Sequence, residues 1–107
     1  MTLDLDTFQG EWGQWVAKAL PEATTKGHIE KLKGEVVELQ TAFNAEVPIS
    51  DELADCILLC LAIAHRHGIS AADAITKKFE VNKGRTWGKP VNGMYQHDSS
   101  DSSKEGK

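Results

Sequence analysis

A chain of 107 residues with 40% hydrophobic residues can form one small core. Because a domain of this size buries a modest share of its surface, association with further copies is a natural source of extra burial. The 12 Lys and Arg against 16 Asp and Glu leave a net charge of −4, which gives no general attraction to a phosphate backbone, so nucleic acid is not an expected partner. The stretch Met1 to Asp6 is acidic where a secretory signal is basic, and the longest apolar run, Cys56 to Ala64, has nine residues. That is short of the roughly 20 that span a bilayer, so the expectation is a cytoplasmic protein with no membrane partner.

Periodicity predicts helices throughout and no strand. Leu5, Phe8, Trp12, Trp15 and Ala19 advance by three or four, the signature of a first amphipathic helix ending before Pro21. After a loop around Thr24-Thr25-Lys26-Gly27, the positions Ile29, Leu32, Val36, Leu39 and Phe43 define a longer second helix to about Asn44, with Glu35 and Glu38 flanking its seam. Ser50 reads as the N-cap of a third helix, with Asp51 and Glu52 in the first turn, where negative charge suits the dipole. This helix is expected to run to about His67 and stop at Gly68 as C′ residue. Its middle is apolar on every face, which requires surrounding helices from its own chain or a partner. Cys56 and Cys60, one turn apart within it, read as reduced thiols buried as small hydrophobes.

Ser70-Ala71-Ala72-Asp73 has the capping-box pattern and opens a fourth helix with Ala72, Ile75 and Phe79 inward, fading near Asn82 or Lys83. The organisation expected is a helical domain over residues 1–90, followed by a flexible tail over 91–107 that is Ser/Asp/Lys-rich from His97 onward. The fold class is all-α, a four-helix bundle completed by homo-oligomerisation into a dimer or tetramer.

Four acids carry the chemistry. Glu35 and Glu38 form an ExxE pair, and Glu52 and Asp55 an ExxD pair, on two helices joined by one short connection. Residues three apart share a helix face, so packing the two helices together aims the carboxylates at one point, where a divalent cation relieves their repulsion. Lys78, Asn82 and Arg85 follow at steps of four and three. Two cations and an amide on one helix face suit polyphosphate oxygens.

ExxE, ExxD and the downstream K-x3-N-x2-R together resemble the MazG-type all-α nucleoside triphosphate pyrophosphohydrolases over roughly residues 5–90. The stretch from Asn82 to Pro90 is similar to a phage MazZ-like subgroup, dATP/dGTP diphosphohydrolases of viruses with 2-aminoadenine in their DNA. The resemblance implies hydrolysis of a deoxynucleoside triphosphate, dATP and dGTP foremost, to the monophosphate and pyrophosphate. It implies Mg2+ or Mn2+ held by Glu35, Glu38, Glu52 and Asp55, with Glu35 or Glu38 as general base, and phosphate contacts from Lys78, Asn82 and Arg85. Trp12, Trp15 and Trp87 are candidates for a wall against the nucleobase, and Gln9 or Gln14 for its edge. The family usually reads EExxE, whereas Gly34 stands here in place of the first acid. Such a glycine costs about 1 kcal/mol of helix stability relative to Ala, and close backbone approach by a neighbouring helix or a substrate is one reason to keep it. His28 is expected at the second helix's first turn, partly exposed. The alternatives are a house-cleaning enzyme for other or non-standard triphosphates, an acidic helical module for a basic partner, whose acids fan outward, and a helix-turn-helix binder, which the net charge disfavours.

Overall fold

Each helix begins and ends where local chemistry satisfies its open backbone groups. In the computed structural model, which describes residues 3–97, α1 spans Leu5–Ala19. The Asp4 carboxylate caps it by accepting from the amides of Asp6 at 3.1 Å and Thr7 at 3.4 Å. Helix α2, Thr25–Asn44, is capped by Thr24, whose hydroxyl accepts from the Gly27 amide at 3.0 Å. The Thr24-to-Gly27 segment expected as loop is therefore the cap and first turn of α2. Helix α3 spans Ser50–Arg66, and its cap position is Ile49, with no side-chain cap bond. Ser50, expected as the cap, is already helical. Helix α4 runs over Ala71–Lys83, and the order is α1, α2, α3, α4.

Two helix ends share one motif. At the end of α3 the Gly68 amide donates to the His65 carbonyl at 3.1 Å and the Ile69 amide to the Ala64 carbonyl at 2.9 Å. Gly68 has φ +65°, the left-handed C′ conformation expected of it. At the end of α2 the same pair of bonds runs from Glu46 to Phe43 at 3.1 Å and from Val47 to Ala42 at 3.2 Å. There the left-handed residue is Glu46, with φ 60°.

The chain divides into two compact units, Met1–Ala72 and Asp73–Lys107. In the first, α3 packs against both α1 and α2. Gly13 lets α1 approach α3, since a Cβ there would overlap the His65 ring, and Trp12 Nε1 donates to the Leu58 carbonyl at 2.7 Å. Thr25 Oγ1 and His67 Nε2 are hydrogen-bonded at 2.8 Å, joining the start of α2 to the end of α3. Gln9, buried in α1, clamps the chain after α3: its Nε2 donates to the Ile69 carbonyl at 2.7 Å, and its Oε1 accepts from the Ala71 amide at 2.9 Å. Val16, Ala42, Leu61, Ala62 and Ala71 form the buried apolar core.

The predicted helices are present, yet several faces are rotated. On α2 the buried residues are His28, Glu35 and Ala42, with Leu32 and Leu39 half-buried between them. The seam is thus 28, 32, 35, 39 and 42, and Glu35 lies within it rather than beside it. Ile29, Val36 and Phe43, expected inward, are 41%, 50% and 65% exposed. On α1, Trp15 and Ala19 are exposed, while Gln9, Gly13 and Val16 take the buried face. Cys60 is exposed and Cys56 half-buried, both as free thiols, so the expectation of two buried cysteines fails for Cys60. Periodicity alone misplaces these faces because the buried line of α2 contains two polar residues that a hydrophobic count rejects.

In the second unit, Ile75 and Phe79 are exposed, not inward, and Lys83 Nζ lies 4.6 Å above the Phe79 ring centre. Residues 91–97, expected in a flexible tail, fold back instead. Val91 and Met94 exchange backbone hydrogen bonds of 2.8 and 3.1 Å, and the Gly88 amide donates to the Gln96 carbonyl at 2.9 Å. Asn92 and Gly93, with φ 53° and 77°, make the two-residue turn that Asn-Gly favours. The rest of the expected tail, 98–107, lies outside the described residues. No single helix among the described residues is long and apolar enough to cross a membrane.

Candidate active site

A cavity of about 490 Å³ opens within the first unit, between α1, α2 and α3. Trp12, Val16, Leu20, Leu58 and Leu59 supply most of its apolar wall, and its polar groups are few: Thr24, His28, Lys31, Glu35 and Asp55. This is the usual character of a small-molecule site, apolar with a handful of placed polar groups.

Glu35 is the most constrained of the four predicted acids. Held in the α2 seam, it is only 5% exposed. Its Oε2 pairs with Lys31 Nζ at 3.4 Å, and its Oε1 is buried with no hydrogen-bond partner among the described residues. A buried carboxylate oxygen left unsatisfied costs roughly 1–3 kcal/mol or more, so the position calls for a cation or donor. Asp55, on α3, lines the same cavity. Across the interface the Cys56 thiol is pushed above its ordinary range by burial, with further contributions from Glu35, Cys60 and Asp55.

The other two acids stand apart from this cavity. Glu38 is exposed and Glu52 half-buried, and neither belongs to the lining. Among the described residues no three His, Cys, Asp or Glu side chains already converge as a metal cluster. The structure thus brings Glu35 and Asp55 to one cavity and leaves Glu38 and Glu52 one turn away on the same helices. The donors present are hard oxygens, one of them buried and unsatisfied, and such a set fits Mg2+ or Mn2+. An acidic stripe serving a basic partner would need Glu35 turned outward, and it is buried.

Two cavity residues escaped the spacing argument. Lys31, one turn before Glu35, is a cation at the same wall, and a single lysine on a helix carries no spacing signal. His28, expected partly exposed, is 7% exposed, and its Nε2 has no hydrogen-bond partner among the described residues. Burial and then the charge of Arg66 hold its pKa below the ordinary value of 6.5, which keeps the ring neutral at neutral pH. The seven-residue interval between His28 and Glu35 says only that the two share one face of α2, and the packing against α3 makes that face the buried one.

Of the aromatic candidates, Trp12 lines the cavity. Trp15 stacks on Trp12 with ring centres 5.5 Å apart and planes 12° from parallel, but it is exposed and not part of the lining. Gln9, a candidate for the base edge, is committed to its clamp. Gly34 has open space where a Cβ would stand, so no neighbouring helix of this chain explains it.

The second unit holds the basic candidates. Arg85 Nη1 donates to Asn82 Oδ1 at 3.0 Å and lies 3.4 Å from His97 Nδ1. Trp87 Nε1 donates to the Asn82 carbonyl at 3.1 Å, and its ring meets His97 edge-on at 5.9 Å. Asn82, Arg85 and Trp87 therefore form one ordered group, with the Asn82 amide oxygen engaged by the guanidinium. Lys78 lies on α4 one turn before Asn82 and is exposed.

The model of the dATP/dGTP pyrophosphohydrolase family matches residues 8–104. A dATP/dGTP diphosphohydrolase of Cyanophage S-2L is 33% identical over 90 residues, 84% of this chain and 84% of that protein. A second dATP/dGTP diphosphohydrolase, of Salmonella phage PMBT28, is 36% identical over 83 residues, 78% of this chain but 28% of that longer protein. Among solved structures, the Cyanophage S-2L MazG-like pyrophosphohydrolase bound to dGDP and three catalytic Mn2+ ions per active site superposes with a TM-score of 0.76 at 28% identity, covering 91% of this chain and 99% of that one. With its all-α, MazG-like fold, the chain belongs to the dATP/dGTP pyrophosphohydrolase family.

Proposed function

We propose that this protein hydrolyses dATP and dGTP between the α and β phosphates, releasing the monophosphate and pyrophosphate. The observation that carries the reading is the Glu35 carboxylate, buried with one oxygen unsatisfied, on the same cavity as Asp55. The substrate pair is supported by the names of the phage relatives, and the metal by the Mn2+ ions of the structural neighbour.

Glu35 and Asp55 would anchor Mg2+ or Mn2+, with Glu38 and Glu52 completing the oxygen set from the adjacent turns. Such an ion, when bound, neutralises phosphate charge and makes water more acidic. The proton of the attacking water passes to a carboxylate of α2, Glu35 or Glu38. Lys31 exchanges its pairing with Glu35 for a phosphate oxygen as substrate arrives, and Lys78, Asn82 and Arg85 contribute further charge and hydrogen bonds to the triphosphate. Trp12 supplies a flat wall for the base.

The working form is a homo-oligomer, dimeric or tetrameric, in the host cytoplasm. Its support is the exposed line Ile29, Val36 and Phe43 on α2, with Leu53 and Ile57 exposed on α3. Purified protein with Mn2+ or Mg2+ should release pyrophosphate from dATP and dGTP. Glu35→Gln should lower kcat by at least about 100-fold with an unchanged far-UV circular dichroism spectrum. Absence of product from every common nucleotide with either metal would end the proposal.

A further inference from the structure

We infer that His28 is the group by which the cavity selects purines, its Nε2–H donating to N7, the acceptor that adenine and guanine share. The inference rests on the dATP and dGTP reading above. His28 shares the cavity wall with Trp12, Leu58 and Leu59, and its Nε2 is buried without a partner among the described residues. A polar atom kept this way costs stability, and a ligand atom entering the cavity removes the cost.

Position along α2 separates His28 from the chemistry. It precedes Glu35 by seven residues on one seam, about 10 Å along the helix axis at 1.5 Å per residue. A nucleotide laid along α2 with its reacting phosphate at Glu35 therefore has a deoxyribose length in hand before its base reaches His28. The base end of the cavity is apolar apart from His28 and Thr24.

The chemistry of the two bases then selects the contact. Adenine carries an amino donor at position 6 and guanine a carbonyl acceptor, so no single fixed group satisfies both there, whereas N7 is an acceptor in each. A neutral imidazole with its proton on Nε2 offers one donor of the required kind. Pyrimidines have no N7 and leave the donor unpaired.

The test compares kcat/KM of the intact protein, with Mn2+, for dATP, dGTP, dCTP, 7-deaza-dATP and 3-deaza-dATP. Replacing N7 by C–H should lower kcat/KM about 10- to 100-fold, the effect of one buried unpaired donor, while the 3-deaza analogue behaves like dATP. His28→Phe, which keeps a flat ring and removes the donor, should treat dATP and 7-deaza-dATP alike and narrow the gap to dCTP. Equal turnover of dATP and 7-deaza-dATP by the unaltered protein overturns the role of His28 and leaves the enzymatic reading standing. A loss with the 3-deaza analogue alone overturns it too. No turnover of dATP removes both. The substrate-analogue arm needs no variant, so misfolding of His28→Phe does not decide the result.

Discussion

Gly13 and Gly34 show how one residue type answers to two physical situations. A Cβ at Gly13 would overlap the root of the His65 ring, while Gly34 has open space. Gly13→Ala should therefore destabilise the fold by about 1–3 kcal/mol from overpacking, offset in part by a helix-propensity gain of about 1 kcal/mol. Gly34→Ala should stabilise by about 1 kcal/mol, because only propensity changes. Urea unfolding followed by circular dichroism checks both, and a Gly13→Ala variant as stable as Gly34→Ala would refute the close approach of α1 to α3. The ExxE and ExxD spacing made Glu35 and Asp55 legible as candidate site residues, and both line one cavity. Nothing in the spacing said that Glu35 would be buried and Glu38 exposed, because that depends on which side of α2 meets α3.

The helices themselves were largely readable. The Pro21 stop, the Gly68 C′ residue and the Ser70 boundary are properties of a few adjacent residues, and the structure places α1, α3 and α4 accordingly. Errors came where a weaker local signal competed: Thr24, not the following loop, caps α2, and Ile49 takes the position expected of Ser50. Glu46 occupies at the end of α2 the left-handed position that Gly68 occupies after α3. Since that conformation costs a residue with a Cβ roughly 1 kcal/mol, Glu46→Gly should raise stability by about that amount. A lower urea midpoint for Glu46→Gly would show that the Glu46 side chain contributes more than its backbone costs. The Asn92-Gly93 turn was readable in principle from the dipeptide flanked by Val91 and Met94, but the strand-like segments on either side are too short to give an alternating pattern.

For the whole molecule, the first unit's core is small, and Val36, Phe43, Leu53 and Ile57 remain 43% to 65% exposed. In the proposed homo-oligomer, the exposed apolar line repeating every seven residues on α2 is the face that pairs with another helix. Val36→Lys combined with Phe43→Lys should shift the sedimentation coefficient to that of a monomer, with α-helix content retained. An unchanged oligomer would show that association uses another face.

By itself, the sequence determined the all-α class, the C-terminal stops of the helices, the acid pairs and the family resemblance, because each depends on neighbours within one or two turns. The tertiary structure decided which face of α2 is the core face. That choice buried Glu35 and His28, exposed Ile29, Val36 and Phe43, and brought Lys31 into the cavity. The reason is geometric: adjacent residues on a helix differ by about 100°, so a seam displaced by one residue turns a flanking acid into a buried one. Only the packing of α2 against α3 selects between the two.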